Sequence, residues 1–173
     1  PSVIFESESK TFSLKPSHPH SFTSYTANSA AITAACTADG CTLPPSTAGG
    51  TDHVVTLTLS AADEVYTGSA YTGASLSDTT VWTWVGLTEP TIEYEGRGDT
   101  SYTKSGTAPT AAGTYTASIT VDTNKTATAD FTISPMALTI DTATATNRTY
   151  DKDSTAVTIS AVTFKDSSGA SVE

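Results

Sequence analysis

Two cysteines, Cys36 and Cys41, stand with only Thr37-Ala38-Asp39-Gly40 between them. Asp39-Gly40 is a tight-turn dipeptide because both residues tolerate positive φ, and a turn there brings the two Cβ atoms within bonding reach. Three chemistries fit the pair. A disulfide in an oxidising compartment would stabilise so short a loop by about 2 kcal/mol. Two reduced, partly buried thiols would be inert. A tetrahedral zinc site could recruit His18 and His20 from the His18-Pro19-His20 run, although this spacing matches no common zinc module. The disulfide is the expected state, and neither a metal nor a cofactor is expected.

Gly96-Arg97-Gly98-Asp99-Thr100 contains the Arg-Gly-Asp tripeptide that integrins recognise on an exposed loop. The same residues suit a hairpin turn after a strand over 92–95, with glycine supplying positive φ and Asp99 bonding the backbone. The turn is the expected role of Arg97, Gly98 and Asp99, and adhesion is the alternative. Glu93, Glu95 and Asp99 could supply a glycosidase carboxylate pair, which needs a separation of about 5 to 9.5 Å and one raised pKa. Glu93 and Glu95 alternate with Ile92 and Tyr94, so a solvated strand face is expected instead. Asp141, Asp151 and Asp153 could offer oxygen ligands to calcium, but no EF-hand spacing follows and loop aspartates are expected.

Trp82 and Trp84, with Tyr66 and Tyr71 nearby, could form a sugar-stacking platform if they faced outward; two same-face strand tryptophans are expected to fill a small core instead. Lys104, Lys125, Asn124 and Asn147 could be joined by an isopeptide bond, although the sequence pairs none of them. The chain has no Gly-x-Ser-x-Gly elbow, phosphate-cradling glycine loop or HExxH motif. An enzyme is not expected, and no catalytic residue is assigned.

Period-2 alternation runs through the segments that must position these groups, and no stretch of ten residues shows helical spacing. Val55, Leu57 and Leu59 share one face opposite Thr56 and Thr58. Tyr115, Ala117, Ile119 and Val121 alternate with Thr116, Ser118 and Thr120, and Ala129, Phe131 and Ile133 repeat the pattern. Pro44-Pro45, Gly49-Gly50, Ala112-Gly113 and Ser168-Gly169 punctuate these runs as turns. The expected fold is all-β: tandem small antiparallel β-sandwich modules, with essentially no helix.

Composition agrees with that fold. Of 173 residues, 36 are Thr and 22 are Ser, while only 15% are charged, against about 25% in an ordinary soluble domain. Polarity therefore comes from hydroxyls, and threonine supplies it on a β-branched frame that suits a pleated, half-exposed surface. The net charge of −10 excludes nucleic acid and an anionic membrane surface as natural partners. No apolar run approaches the ~18 residues needed to cross a bilayer. The chain opens at Pro1 without a leader or anchor and stops at Glu173 in a strand-rich run, so a piece of a longer secreted protein is expected.

A weak internal repeat organises the chain. Leu57-Thr-Leu59 precedes Tyr66-Thr-Gly68, and Leu138-Thr-Ile140 precedes Tyr150-Asp-Lys152. Three spans follow: 1–60, a small strand-rich unit holding Cys36 and Cys41; 61–135, a complete module; and 136–173, the start of another, cut short. The joints at 59–61 and 133–135 are too short for flexible linkers, which makes a semi-rigid rod.

Tyr66-Thr67-Gly68, Ile92-Glu93-Tyr94-Glu95-Gly96 and Ala108-Pro109-Thr110-Ala111-Ala112-Gly113-Thr114-Tyr115 make residues 61–140 similar to MBG/YDG-type immunoglobulin-like repeat modules of large bacterial surface proteins. The last segment matches the "P-x-x-A-G-T-Y" strand entry of these modules. Ile133-Ser134-Pro135-Met136-Ala137-Leu138-Thr139-Ile140 resembles their exit into the next repeat. Tyr150-Asp151-Lys152 resembles the opening "YDG" with lysine in place of glycine. The resemblance implies an extracellular segment, secreted or attached to a Gram-positive wall, that spaces or displays other domains. Tyr66, Pro109, Gly113 and Tyr115 would then be fold residues. The partners would be neighbouring modules of the same chain, with host glycan or protein as the adhesin-type alternative through Arg97-Gly98-Asp99 or the Trp82/Trp84 surface. A monomer is expected.

Overall fold

Alternating β-branched and small apolar residues draw almost all of the chain into short strands, as the pattern predicts. The computed structural model describes residues 20–39, 41, 53–150, 152 and 156–172. The fold is all-β, and the single helix among the described residues is six residues long. Among the described residues the strands form two four-stranded sheets and one three-stranded sheet. The described chain divides into two compact units. One takes in the described residues up to Leu59 with Leu76–Pro90 and Thr120–Ala127. The other takes in Ser60–Ser75, Thr91–Ile119 and the described residues from Thr128 onward.

In the first unit, β1 (Phe22–Asn28) and β2 (Ala31–Cys36) form an antiparallel hairpin. Its tight turn places Ser29 at φ 50°. β3 (Val54–Ala61) pairs antiparallel with β2, setting Ile32 opposite Leu57 and Ala34 opposite Val55. All four are buried, while the Thr33 and Thr56 hydroxyls meet at 2.9 Å on the outer face. One residue of slip would reverse inside and outside, so the hydrophobic pattern alone pins this register.

The second unit carries β4 (Glu64–Val65), and β5 (Ala74–Ser77) begins in it and follows β3 in the strand order. The helix α1 (Thr79–Trp84) belongs to the first unit. It overturns the placement of Trp82 and Trp84 on one face of a strand. A spacing of two lines residues up in a strand but sets them about 200° apart around a helix. Trp82 is buried, with its indole N–H donating to the Thr88 carbonyl at 2.9 Å, whereas Trp84 is half-buried. The helix has no side-chain N-cap, no acid in its first turn and no base in its last. Burial of Trp82, rather than capping, therefore holds it.

β6 (Glu93–Gly96), β7 (Gly113–Val121) and β8 (Lys125–Ser134) complete the β4-β8-β7-β6 sheet. β6 runs antiparallel to β7, and β4 pairs parallel with β8 through Glu64 opposite Ile133. The Asp63 carboxylate accepts the Thr132 amide at 2.7 Å beside that short pairing. Every second residue of β7 and β8 turns inward, and Tyr115, Ala117, Ile119, Phe131 and Ile133 are buried.

The core of the second unit is aromatic. Tyr71 stacks on Phe131 at 3.9 Å and 9°, and Tyr115 lies nearly parallel to Phe131 at 5.4 Å. Tyr94 meets both Tyr71 and Phe131 edge-on at 6.1 Å. Tyr102 meets Tyr115 edge-on at 5.9 Å. Each tyrosine hydroxyl donates locally where it has a carbonyl to reach: Tyr71 to Ala62 at 2.8 Å, Tyr115 to Ala111 at 2.8 Å and Tyr102 to Thr107 at 2.7 Å. Tyr66, expected as a fold residue, is exposed, and Tyr71 fills the core instead; Pro109 and Tyr115 are buried.

β9 (Leu138–Ala145), β10 (Ile159–Asp166) and β11 (Ser171–Val172) form an antiparallel sheet. Thr142 and Thr163 share a hydroxyl contact of 2.7 Å, and Lys165 pairs with Asp141 at 2.8 Å. Ile140 stands opposite Phe164, and both remain exposed. Asp166 gathers the Ser168 hydroxyl and the Ser168 and Ala170 amides on one oxygen, which lowers its pKa, the Ser168 hydroxyl first.

Phe131→Ala removes the ring on which Tyr71 and Tyr115 stack and should cost about 3–5 kcal/mol, read from urea unfolding. Burial, then the Glu64 carboxylate, pushes the Tyr71 pKa up to about 12, while an unfolded tyrosine ionises near pH 10. The neutral phenol is therefore favoured by the fold. Its contribution is complete below pH 10 and is lost as pH rises from 10 to about 12, at ~1.4 kcal/mol per pH unit. Tyr71→Phe should forfeit about 1 kcal/mol of hydrogen bonding at neutral pH and flatten the alkaline fall in melting temperature; an unchanged alkaline profile would refute this assignment.

Candidate functional site

β6 ends where the backbone must pass very close to its neighbour. A Cβ on Gly96 would overlap the Thr100 carbonyl oxygen and come within 2.7 Å of the Tyr102 amide nitrogen. Glycine is required there, and the Gly96 amide donates to the Tyr102 carbonyl at 2.9 Å. The next four residues make a tight turn: the Thr100 amide donates to the Arg97 carbonyl at 3.2 Å, with Gly98 at φ +61°. The turn is tied down from β7. The Arg97 amide donates to the Thr114 carbonyl at 2.9 Å, and the Thr114 hydroxyl donates back to the Arg97 carbonyl at 2.7 Å.

The turn and adhesive expectations for Arg97-Gly98-Asp99 therefore fall on one object, a backbone-fixed turn whose three residues are all exposed. The Arg97 guanidinium lies 3.5 Å from the Asp130 carboxylate on β8, which also accepts the Thr116 hydroxyl at 2.6 Å. With its side chain half in water, this ion pair orients more than it stabilises. The sequence does not single out Asp130, although alternation along β8 already places it on the solvent side with Thr116.

The second cluster surrounds the cysteines. Cys36 closes β2, Cys41 follows the turn, and the two are joined as a disulfide with Cα atoms 6.5 Å apart. His20, immediately before β1, places Nδ1 3.2 Å from Cys41 Sγ and 3.7 Å from Cys36 Sγ. Its ring lies 5.9 Å from Phe22 and 6.0 Å from Trp84. His18 lies outside the described residues. The hairpin register explains the meeting: Phe22 is opposite Cys36, so the residue two earlier falls beside the loop that Cys36 opens.

The remaining candidates are dispersed. Glu93 pairs with Lys104 at 3.0 Å, whereas Glu95 and Asp99 are exposed. Asp141 is held by Lys165, and Asp151 and Asp153 lie outside the described residues. Trp82 is buried and Trp84 packs beside His20, so they do not form an outward platform together. No helix among the described residues is long and apolar enough to cross a membrane. No known protein-family model, curated protein or solved structure matches the chain.

Gly96→Ala should destabilise the second unit by about 1–3 kcal/mol, because rigid backbone rather than a side chain would have to yield. Asp130→Ala should change stability by less than about 1 kcal/mol. Thermal melts of the two variants side by side check the contrast, and equal losses would refute the close-approach argument.

Proposed function

We propose that this chain is a non-catalytic stalk segment of an extracellular bacterial surface protein, one that spaces or displays other domains. The reading keeps the organisation into 1–60, 61–135 and 136–173, with MBG/YDG-type modules in the second and third spans. It assigns no cofactor, no catalytic residue and a monomeric state. Neighbouring modules of the same chain are its partners.

The observation that carries the reading is where the hydroxyls lie. Cross-strand hydroxyl pairs occupy exposed faces in every sheet: Thr33 with Thr56 at 2.9 Å, Thr120 with Thr126 at 3.0 Å and Thr142 with Thr163 at 2.7 Å. Such pairs stabilise a sheet without charge. They leave a surface that hydrates well and offers few handles for a ligand. The Cys36–Cys41 disulfide supports an oxidising location. The exposed apolar residues of β9 and β10, including Ile140, Val162 and Phe164, support reading 136–173 as the start of a further module.

Small-angle scattering on the whole chain should give an elongated, rigid particle, and a screen of glycans and host-matrix proteins should give no saturable binding. A globular particle or clean saturation by one ligand would overturn the stalk. The exposed Arg97-Gly98-Asp99 turn favours a second reading, an adhesin contacting host protein. It predicts that cells adhere to the immobilised chain and that Asp99→Glu abolishes adhesion. Equal adhesion to both proteins would eliminate it.

A further inference from the structure

Among the described residues, one group of side chains could hold a metal ion: His20, Cys36 and Cys41, whose ligand atoms all lie within 4.8 Å of one another. We propose that, when the Cys36–Cys41 disulfide is reduced, the two thiolates and His20 Nδ1 bind one Zn²⁺, so that the loop exchanges a covalent clip for a metal clip. The inference goes beyond the stalk reading and does not depend on it.

A tetrahedral zinc with Zn–S near 2.3 Å and Zn–N near 2.0–2.1 Å needs S···N separations of roughly 3.6 Å and an S···S separation of roughly 3.8 Å. His20 Nδ1 already stands 3.2 and 3.7 Å from the two sulfurs. Only the sulfur pair must open, and breaking the S–S bond permits that by side-chain rotation. Taken apart from the upstream histidines, whose spacing matches no common module, two cysteines with four residues between them fall within the two-to-four-residue ligand spacing of structural zinc sites.

The frame that holds these ligands does not consist of the disulfide alone. The Cys36 amide donates to the His53 carbonyl at 2.7 Å, and the Thr37 amide donates to the Ser21 carbonyl at 2.7 Å. The residues adjoining His20 and Cys36 are thus bonded to each other directly. The Cys41 amide donates to the Ala38 carbonyl at 3.1 Å and closes the turn. Cys41 is buried, and the His20 ring is flanked by Phe22 and Trp84. Two thiolates neutralise Zn²⁺, so a partly buried site carries no net charge, which limits its desolvation cost. Water would take the fourth position.

The chemistry balances with a dithiol as reductant. The S–S bond accepts two electrons and two protons and becomes two thiols, while the dithiol becomes a disulfide. Binding of Zn²⁺ then releases the two thiol protons. In the oxidised chain both sulfurs are committed to each other, and the site is closed to metal.

The test uses the whole chain, oxidised and after reduction by a dithiol removed under anaerobic conditions. Zn²⁺ is titrated against a chromophoric chelator, and Co²⁺ is used as the spectroscopic probe. The reduced protein should bind one Zn²⁺, show thiolate-to-cobalt charge-transfer absorption and gain melting temperature with Zn²⁺, whereas the oxidised protein should do none of these. Loss of an outer-shell partner alone costs 10–100-fold in affinity, so His20→Ala should weaken binding by at least about tenfold. A reduced chain without the charge-transfer band overturns the proposal, whether or not it stays folded. So does a His20→Ala variant that binds as tightly as the wild type, because the cysteines would then be acting without the third ligand.

Discussion

The face-to-face stack of Tyr71 on Phe131, continued by Tyr115, is the contact on which the second unit depends. It joins a loop residue to β7 and β8, and Tyr94 on β6 seals it edge-on. Each aromatic pair contributes about 0.5–1.5 kcal/mol beyond its burial. The tyrosines add directionality, since their buried hydroxyls must find acceptors. The Tyr115 hydroxyl reaches back four residues to the Ala111 carbonyl, which fixes how the chain enters β7 from Pro109. That entry places Thr114 where it grips the Arg97 carbonyl. The ring stack thus reaches the exposed turn through Tyr115 and its neighbour Thr114.

The first unit solves the same problem with different material. Among the described residues its core is aliphatic and small, built on Ile32, Ala34, Val55, Leu57 and Leu59, with Trp82 as the one large buried aromatic. A small core leaves little surplus over conformational entropy. This unit is also the one that carries the Cys36–Cys41 link. A short covalent loop adds modestly to stability, but it fixes the end of β2 where the core is thin. Stability comes from aromatic packing in one unit and from a cross-link beside a modest core in the other.

The strands were legible because burial on one side imposes a period of two. Val55, Leu57 and Leu59 turn inward opposite Thr56, and Tyr115, Ala117 and Ile119 do the same on β7. The same rule misled at Trp82 and Trp84. In six residues a helix and a strand cannot be distinguished by periodicity, and alternating tryptophans read as a strand. Tyr66 and Tyr71 were interchangeable by type, and only tertiary packing selected Tyr71. The ion pairs of Glu93 with Lys104 and Arg97 with Asp130 depend on strand register, which local sequence does not encode. The meeting of His20 with the cysteines is half legible: the residue types stand in the sequence, but the β1–β2 register that joins them does not.

Among the described residues, Glu93 pairs with Lys104, Asp141 with Lys165 and Asp130 with Arg97, while Glu95 and Asp99 are exposed. The hydroxyls that replace charge cross-link neighbouring strands, so their hydrogen-bonding capacity is partly spent inside the sheet. Two places escape this pattern. The Arg97-Gly98-Asp99 turn projects opposite charges from a fixed backbone, and the His20 ring rests against both sulfurs. Each is held by backbone bonds to a neighbouring segment: the Arg97 amide donates to the Thr114 carbonyl, and the Thr37 amide donates to the Ser21 carbonyl beside His20. Strand pairing therefore sets both features, one at the end of β6 and the other where β1 meets β2.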